Sequence, residues 1–170
     1  MQFASPKVLA KLLVIRSFTN QPEVNLEFEE HLLNNADFPA VLFTYVNSPC
    51  VVMGRNNKKE EWVFVEEVQK AQIPLLRRVT GGGTVYHDLG THNYSIILAK
   101  ELLEQIKPPR IHLMEYFREL VIDALSPVVK LEKSGKSDIF LNSRKVGGSA
   151  GAIKKHKVLF HTDAVDAVGV

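Results

Sequence analysis

Apolar residues along the chain follow two rhythms, and the change from one to the other marks the predicted elements. Val8–Ile15 is dense in Leu and Val and predicts a strand. From Pro22 to Asn34 the period lengthens. Val24, Phe28 and Leu32 recur every fourth residue with Leu33 beside them, predicting a short helix that buries this stripe and turns Glu27, Glu29 and Glu30 elsewhere. Pro39 breaks the chain. Ala40–Val46 and Cys50–Met53 predict two strands of a hairpin turning at Asn47-Ser48-Pro49 and ending in the polar turn Gly54-Arg55-Asn56-Asn57. Glu60–Gln72 predicts a second helix, with Trp62, Val65, Val68 and Ala71 every third residue and acidic residues at its start, where the helix dipole favours them. Pro74 ends it. Leu75–Val79 and Thr84–Tyr86 predict strands on either side of three glycines, and Asn93–Ala99 predicts another. After Pro108-Pro109, Ile111–Leu125 predicts a third helix, with Met114, Phe117, Leu120, Val121, Ala124 and Leu125 on one stripe. Short strands are expected at Val128–Leu131, Asp138–Leu141, Lys145–Ala152 and Val158–His161, the middle two joined by a turn at Asn142-Ser143-Arg144. Strands mixed with three helices argue for an α+β fold: a mixed or mostly antiparallel sheet with flanking helices.

The remaining global features narrow the function classes. At 170 residues one domain is expected. A net charge of +2 gives no basic field for nucleic acid or for anionic membranes. The single cysteine, Cys50, excludes an internal disulfide framework and fits a reducing compartment. No apolar run is long enough to span a bilayer, and Met1–Leu13 lacks the order of a signal peptide. A cytoplasmic protein is expected, or a mitochondrial one in a eukaryote.

The densest chemistry lies in Arg77-Arg78-Val79-Thr80-Gly81-Gly82-Gly83-Thr84-Val85-Tyr86-His87-Asp88. Adjacent glycines let a ligand lie on bare main chain, and their amides can cradle phosphate or carboxylate. Two upstream guanidinium forks match the same anions. The competing reading is a flexible hairpin with solvated charges. Lys145, set among small residues in Arg144-Lys145-Val146-Gly147-Gly148-Ser149-Ala150, can reach a ligand lying on the backbone; it can equally be a surface lysine. Asp138, at the mouth of a strand, can hold Mg²⁺ or simply be a solvated turn residue. His87 and Asp88 are neighbours on a strand and so face opposite ways. His92, His112, His156 and His161 show no metal spacing. Cys50 reads as a small buried hydrophobe.

Four blocks in order make the chain resemble the lipoate–protein ligase A family, which shares its fold with the biotin–protein ligases. They are Asn25–Glu30, Val51–Asn56, Arg77–Gly90, and Asp138 with Arg144–Ala150. The resemblance implies the biotin/lipoate protein ligase, class II synthetase-like, fold. It further implies ATP-dependent activation of lipoate to lipoyl-AMP, with Mg²⁺, and transfer of the lipoyl group to a lysine of a lipoyl domain. The implied acceptors are apo lipoyl domains of 2-oxo acid dehydrogenase E2 and the glycine cleavage H protein, with no nucleic-acid or membrane partner. Carried over by motif, Lys145 is the catalytic lysine. Arg78, Thr80, Gly82, Gly83, Thr84, Val85, Tyr86, Lys145 and Asp138 bind ATP or lipoyl-AMP. Arg78, His87, Lys145 and His161 bind lipoate, and Asp138 places Mg²⁺.

Some positions depart from the family pattern. Ser137 precedes Asp138 where Asn is usual, Ala152 stands where an arginine is common, and the family's His-Gly-Thr becomes His161-Thr162-Asp163. Family members also extend further, so residues 1–170 are expected to be the N-terminal part of the catalytic domain. Two alternatives follow: an ATP-independent octanoyl or lipoyl transferase, for which Cys50 is the sole cysteine, and a non-catalytic lipoate- or nucleotide-binding protein. The basic glycine–arginine loop of biotin ligases is absent.

Overall fold

The computed structural model describes residues 11–106, 113–135 and 137–165. The elements in chain order are β1 (Leu12–Arg16), α1 (Pro22–Asn35), β2 (Ala40–Val46), β3 (Cys50–Met53), α2 (Lys59–Trp62), α3 (Val65–Lys70), β4 (Leu75–Arg77) and β5 (Val85–His87). They continue as β6 (Thr91–Ala99), α4 (Lys100–Ile106), α5 (Leu113–Leu125), β7 (Glu132–Ser134), β8 (Asp138–Leu141), β9 (Arg144–Ile153) and β10 (Lys157–Val165). The expected strand positions 8–10, the Pro108-Pro109 break and the expected helix start at Ile111 lie outside the described residues.

Seven strands form one sheet in the order β1-β2-β6-β10-β9-β8-β7, parallel at β1–β2 and antiparallel elsewhere. Both faces are buried in its middle, because the central strands carry apolar residues at odd and even positions alike. On one face Val41, Phe43, Ile97 and Leu159 pack beneath Leu32 and Leu33 of α1. On the other, Ala40, Leu98, Val158 and Phe160 pack with Leu113 and Phe117 of α5.

The cross-strand register shows where the core gives way to something else. On the α1 face one row runs Val41, Ile97, Leu159, Ala152. The next runs Phe43, Ser95, His161, Ala150, and the third runs Tyr45, Asn93, Asp163, Gly148, Asp138. Within three rows the same face passes from apolar to polar. The polar part of this face begins where α1 stops covering the sheet with leucine.

Three further strands form a small sheet in the order β4-β3-β5, with β3 parallel to β4 and antiparallel to β5. This corrects two expectations. β2 and β3 are not a hairpin; they belong to different sheets. β4 and β5 do not pair either, because β3 lies between them, so the glycine run crosses the end of β3 rather than forming a hairpin tip.

Other local expectations also change. The helix expected at Glu60–Gln72 is two short pieces, broken where Val63 is extended at φ −139 and ψ 133. β-branched and aromatic residues at Val63, Phe64 and Val65 favour that break. Neither piece has a buried residue, and Phe64 is 87% exposed. No strand forms at Val128–Leu131; β7 begins at Glu132. α4 was not expected. The turn at Asn142-Ser143 forms as expected, with both residues in the left-handed region at φ 49 and 63.

α1 holds the most consequential difference. Its buried side chains are Pro22, Asn25, Glu29, Leu32 and Leu33, whereas Val24 and Phe28 are among the exposed hydrophobics. The inward stripe is polar toward its N-terminal end, which lies over the polar rows of the sheet.

Candidate active site

The glycine loop is built by its two arginines. Arg78 is buried and donates from Nε to Thr80 Oγ1 at 2.9 Å, from Nη1 to the Val52 carbonyl at 3.2 Å, and from Nη2 to the carbonyls of Gly81 and Gly83 at 2.7 Å each. Four of its N–H vectors thus face the protein. Arg77 points the other way and donates from Nη1 to the carbonyls of Gly54, Arg55 and Asn57. Both forks are engaged by main-chain carbonyls, and Arg78 also lines the cleft described below. They are chiefly braces, because a loop of glycines has no side chains of its own to hold it. Gly82 adopts φ 89, and a Cβ there would meet Arg78 Nη2 at 2.9 Å. A Cβ on Gly54 would lie 2.2 Å from the Gly82 carbonyl oxygen, so β3 can end against the loop only through glycine.

Lys145 reaches the same place through an irregularity. Ile139 pairs with Gly147 but Phe140 pairs with Lys145, so Val146 is an extra residue in β9. Paired residues share a face, and so do positions two apart on a strand. The bulge therefore puts Lys145 on the face of Asp138 and Gly148; without it the lysine would point to the opposite side. Lys145 Nζ lies 3.0 Å from Asp138 Oδ1, both side chains remaining partly exposed.

Behind the loop stands a buried polar network. Glu29 accepts hydrogen bonds from Ser95 Oγ, from Tyr45 OH at 3.3 Å and from His161 Nδ1 at 3.0 Å. His161 Nε2 meets Thr80 Oγ1 at 2.9 Å, joining Glu29 to the Arg78 brace. Burial alone would raise the Glu29 pKa, but His161 and the hydroxyl donors outweigh it and hold the carboxyl below its ordinary 4.5. Burial, with Glu29 beside it, pushes the Tyr45 phenol well up, so it stays protonated and donates. His87 is held below 6.5 chiefly by burial, opposed by Asp163 and assisted by His161 and Arg78. Asp163 Oδ1 accepts the Gly148 amide at 2.9 Å.

These groups enclose a cleft of about 290 Å³. Gly82, Gly83, Thr84 and Val85 line it, with Arg78, His87, Asp138, Lys145 and His161. Of the expected site residues, two lie apart. Thr80 is fully buried behind the loop, and Tyr86 is not among the lining residues, being half exposed on β5, where Val85 and His87 take the other face. Asp163, Asn93, Tyr45 and Trp62 also line the cleft and were not expected. Trp62 hangs over the loop, its ring 3.3 Å from where a Gly83 Cβ would be. The signal for Asp163 was the departure from His-Gly-Thr. The signal for Glu29 was its spacing of four from Asn25. Cys50 is fully buried, and burial followed by the Glu23 charge pushes its thiol up to about 12, unsuited to nucleophilic attack.

The lipoyl protein ligase A/B catalytic domain matches residues 21–163 of the chain. Lipoate-protein ligase LplJ of Bacillus subtilis is 35% identical over 156 residues, which cover 88% of this chain and 45% of that protein. Among solved structures, a bi-partite lipoate protein ligase of Thermoplasma acidophilum, described with its E2 lipoyl domain, superposes with a TM-score of 0.77 at 26% identity, covering 91% of this chain and 60% of that one. A lipoate-protein ligase A bound with ATP superposes at 0.76 with 26% identity, covering 91% and 66%. The chain belongs to the lipoyl protein ligase A/B catalytic-domain family, and it has the α+β fold of the lipoate–protein ligases. It spans about half the length of the curated relative it matches.

Proposed function

We propose that this chain carries the acyl-adenylate site of a lipoate–protein ligase, residues 1–170 contributing the N-terminal part of its catalytic domain. The observation that carries the reading is the convergence of Lys145 and the braced glycine loop on one cleft. In the first step a lipoate carboxylate oxygen bonds to the α-phosphorus of ATP and the bond to pyrophosphate breaks. In the second, an acceptor lysine nitrogen bonds to the acyl carbon, AMP leaves, and the amine loses a proton. Both steps bring anionic oxygens together, and the barrier falls only if positive charge is already oriented there. Lys145 supplies a mobile cation, and exchanges Asp138 for the ligand oxygen. Gly82 and Gly83 let the nucleotide approach the main chain, while Arg78 keeps that main chain in shape from behind.

Among the described residues no group of three or more His, Cys, Asp or Glu could hold a metal ion. Asp138 fits Mg²⁺ in the way such sites usually do, as a single carboxylate sharing the ion with phosphates, where the ion would neutralise phosphate charge. We read the acceptor as a lysine on an apo lipoyl domain of a 2-oxo acid dehydrogenase E2 or a glycine cleavage H protein, a reading supported by the similar ligase described with its E2 lipoyl domain. No described helix is long and apolar enough to cross a membrane, and we read the site of action as the cytoplasm, or mitochondria in a eukaryote.

Incubation with ATP, Mg²⁺, lipoate and an apo lipoyl domain, read by mass spectrometry, tests the assignment. A lipoyl adduct with the wild type and none with Lys145→Ala is expected. Ligand binding without adenylate or adduct by folded protein would select a binding protein instead.

A further inference from the structure

Two polar relays leave the inward face of α1 one helical turn apart, and each ends on a histidine of the cleft. The first starts at Asn25. Its Nδ2 faces the carbonyl oxygens of Thr19 at 3.2 Å and Val46 at 3.5 Å, which only accept, and its Oδ1 takes the Ser17 hydroxyl at 2.6 Å. The amide can sit only one way round. Nδ2 also meets Asn47 Oδ1 at 2.9 Å, so Asn47 turns its own Nδ2 to His87 Nδ1 at 3.1 Å. His87 Nδ1 must therefore accept, and the ring proton is on Nε2. The second relay starts at the Glu29 carboxylate, which only accepts; His161 Nδ1 must therefore donate. Thr80 Oγ1 accepts from Arg78 Nε, and among the described residues its own buried hydroxyl hydrogen has His161 Nε2 as its acceptor.

We propose that Asn25 and Glu29 are positioning residues that set opposite ring tautomers in the cleft. His87 is thereby fixed as a neutral Nε2–H donor for a ligand oxygen, and His161 is locked inward to hold the glycine loop. The chemical class His87 would meet is a carboxylate or acyl-phosphate oxygen, which rests on the ligase reading. Burial explains why such indirect control is needed. Asn25 and Asn47 are each 1% exposed or less and Glu29 is 1% exposed, so water cannot reorganise the relays. An exposed imidazole would interchange its tautomers and present the wrong atom part of the time.

The histidine side-chain nitrogens of ¹⁵N-labelled full chain, read by long-range ¹H–¹⁵N correlation and assigned with His87→Gln and His161→Gln, report the tautomers directly. Wild type is expected to show Nε2–H at His87 and Nδ1–H at His161. Asn25→Asp is nearly isosteric but turns the Asn47 amide over, and is expected to change the His87 ring alone. Glu29→Gln is expected to change His161 alone. Trp62 fluorescence titrations with lipoate and with ATP–Mg²⁺ are expected to weaken about tenfold or more, for lipoate in Asn25→Asp and for ATP in Glu29→Gln. The opposite tautomer at either wild-type ring overturns the proposal, and that measurement needs no variant to fold. Changed rings with unchanged affinities overturn it as well. Wild-type protein showing both tautomers but binding neither ligand would sink the ligase reading and leave the relay assignment supported.

Discussion

Lys145 Nζ and Asp138 Oδ1 lie 3.0 Å apart because Val146 is bulged out of β9. One extra residue decides which face of the sheet the lysine serves. The ion pair itself is partly exposed, so its direct contribution to stability is small. What matters is that it holds the cation over the cleft when no anion is present.

Moving the lysine one position along β9 should therefore separate fold from function. In the double variant Arg144→Lys with Lys145→Ala the lysine stands opposite Leu141, on the other face of the sheet, while the Val146 bulge and the ladder with β10 are kept. Trp62 is the chain's only tryptophan and lines the cleft, so its fluorescence reports ligand binding. ATP–Mg²⁺ affinity should fall about tenfold or more, as in Lys145→Ala, since a charge-assisted hydrogen bond contributes roughly 1.5–3 kcal/mol. Unchanged affinity in the double variant would mean that the face of the lysine is immaterial.

Arg78 is expected to show its bracing role as lost stability. Arg78→Lys keeps a charge but not the planar fork, and strands several of the carbonyls of Val52, Gly81 and Gly83. Urea unfolding should show a loss of about 2–4 kcal/mol, the usual range for breaking a buried polar network. A loss of ligand affinity with unchanged stability would instead make Arg78 a direct ligand contact.

Acid should weaken the fold in two stages. Below about 6.5 the unfolded chain protonates His87, while the folded chain holds it neutral at a lowered pKa. The stability tied to His87 is therefore present above that pH and is lost as pH falls, with a slope of at most about 1.4 kcal/mol per pH unit. Glu29, whose folded pKa lies below 4.5, adds a second loss as pH drops below that value. Urea midpoints between pH 8 and 5 should decline in wild type and decline less in His87→Gln. Equal slopes in the two proteins would contradict the assignment.

Cys50 separates the ligase reading from a cysteine-dependent acyl transferase. Cys50→Ala should retain lipoyl transfer and lose about 1 kcal/mol of stability, in line with ordinary core substitutions. Loss of transfer from an acyl carrier protein in that variant, with the fold intact, would favour the transferase.

Much of the cleft was readable from residue types, because glycines beside a basic pair, and a lysine among small residues, state their chemistry locally. How the pieces meet was not. β3 inserts between β4 and β5, a pairing that no turn signal around Gly81 specifies. The Val146 bulge changes side-chain parity, and the glycines beside it, Gly147 and Gly148, do not say which residue is left unpaired. On α1, Val24 and Phe28 promised a buried stripe, yet Asn25 and Glu29 face inward. Helical periodicity assumes an apolar interior, and here the interior under the first turns of α1 is the back wall of a site. The bracing by the two arginines was hidden for a related reason: anion-binding forks and carbonyl-binding forks have the same side chain.

The most direct test of the central claim is lipoate-dependent exchange of labelled pyrophosphate into ATP. It reads adenylate formation alone and requires no acceptor domain. Wild type should catalyse exchange only with lipoate and Mg²⁺ present, and Lys145→Ala should lower it by about a hundredfold or more, roughly 3 kcal/mol of transition-state stabilisation. Exchange of equal rate in Lys145→Ala, or none in a folded wild type that binds both ligands, would contradict the account.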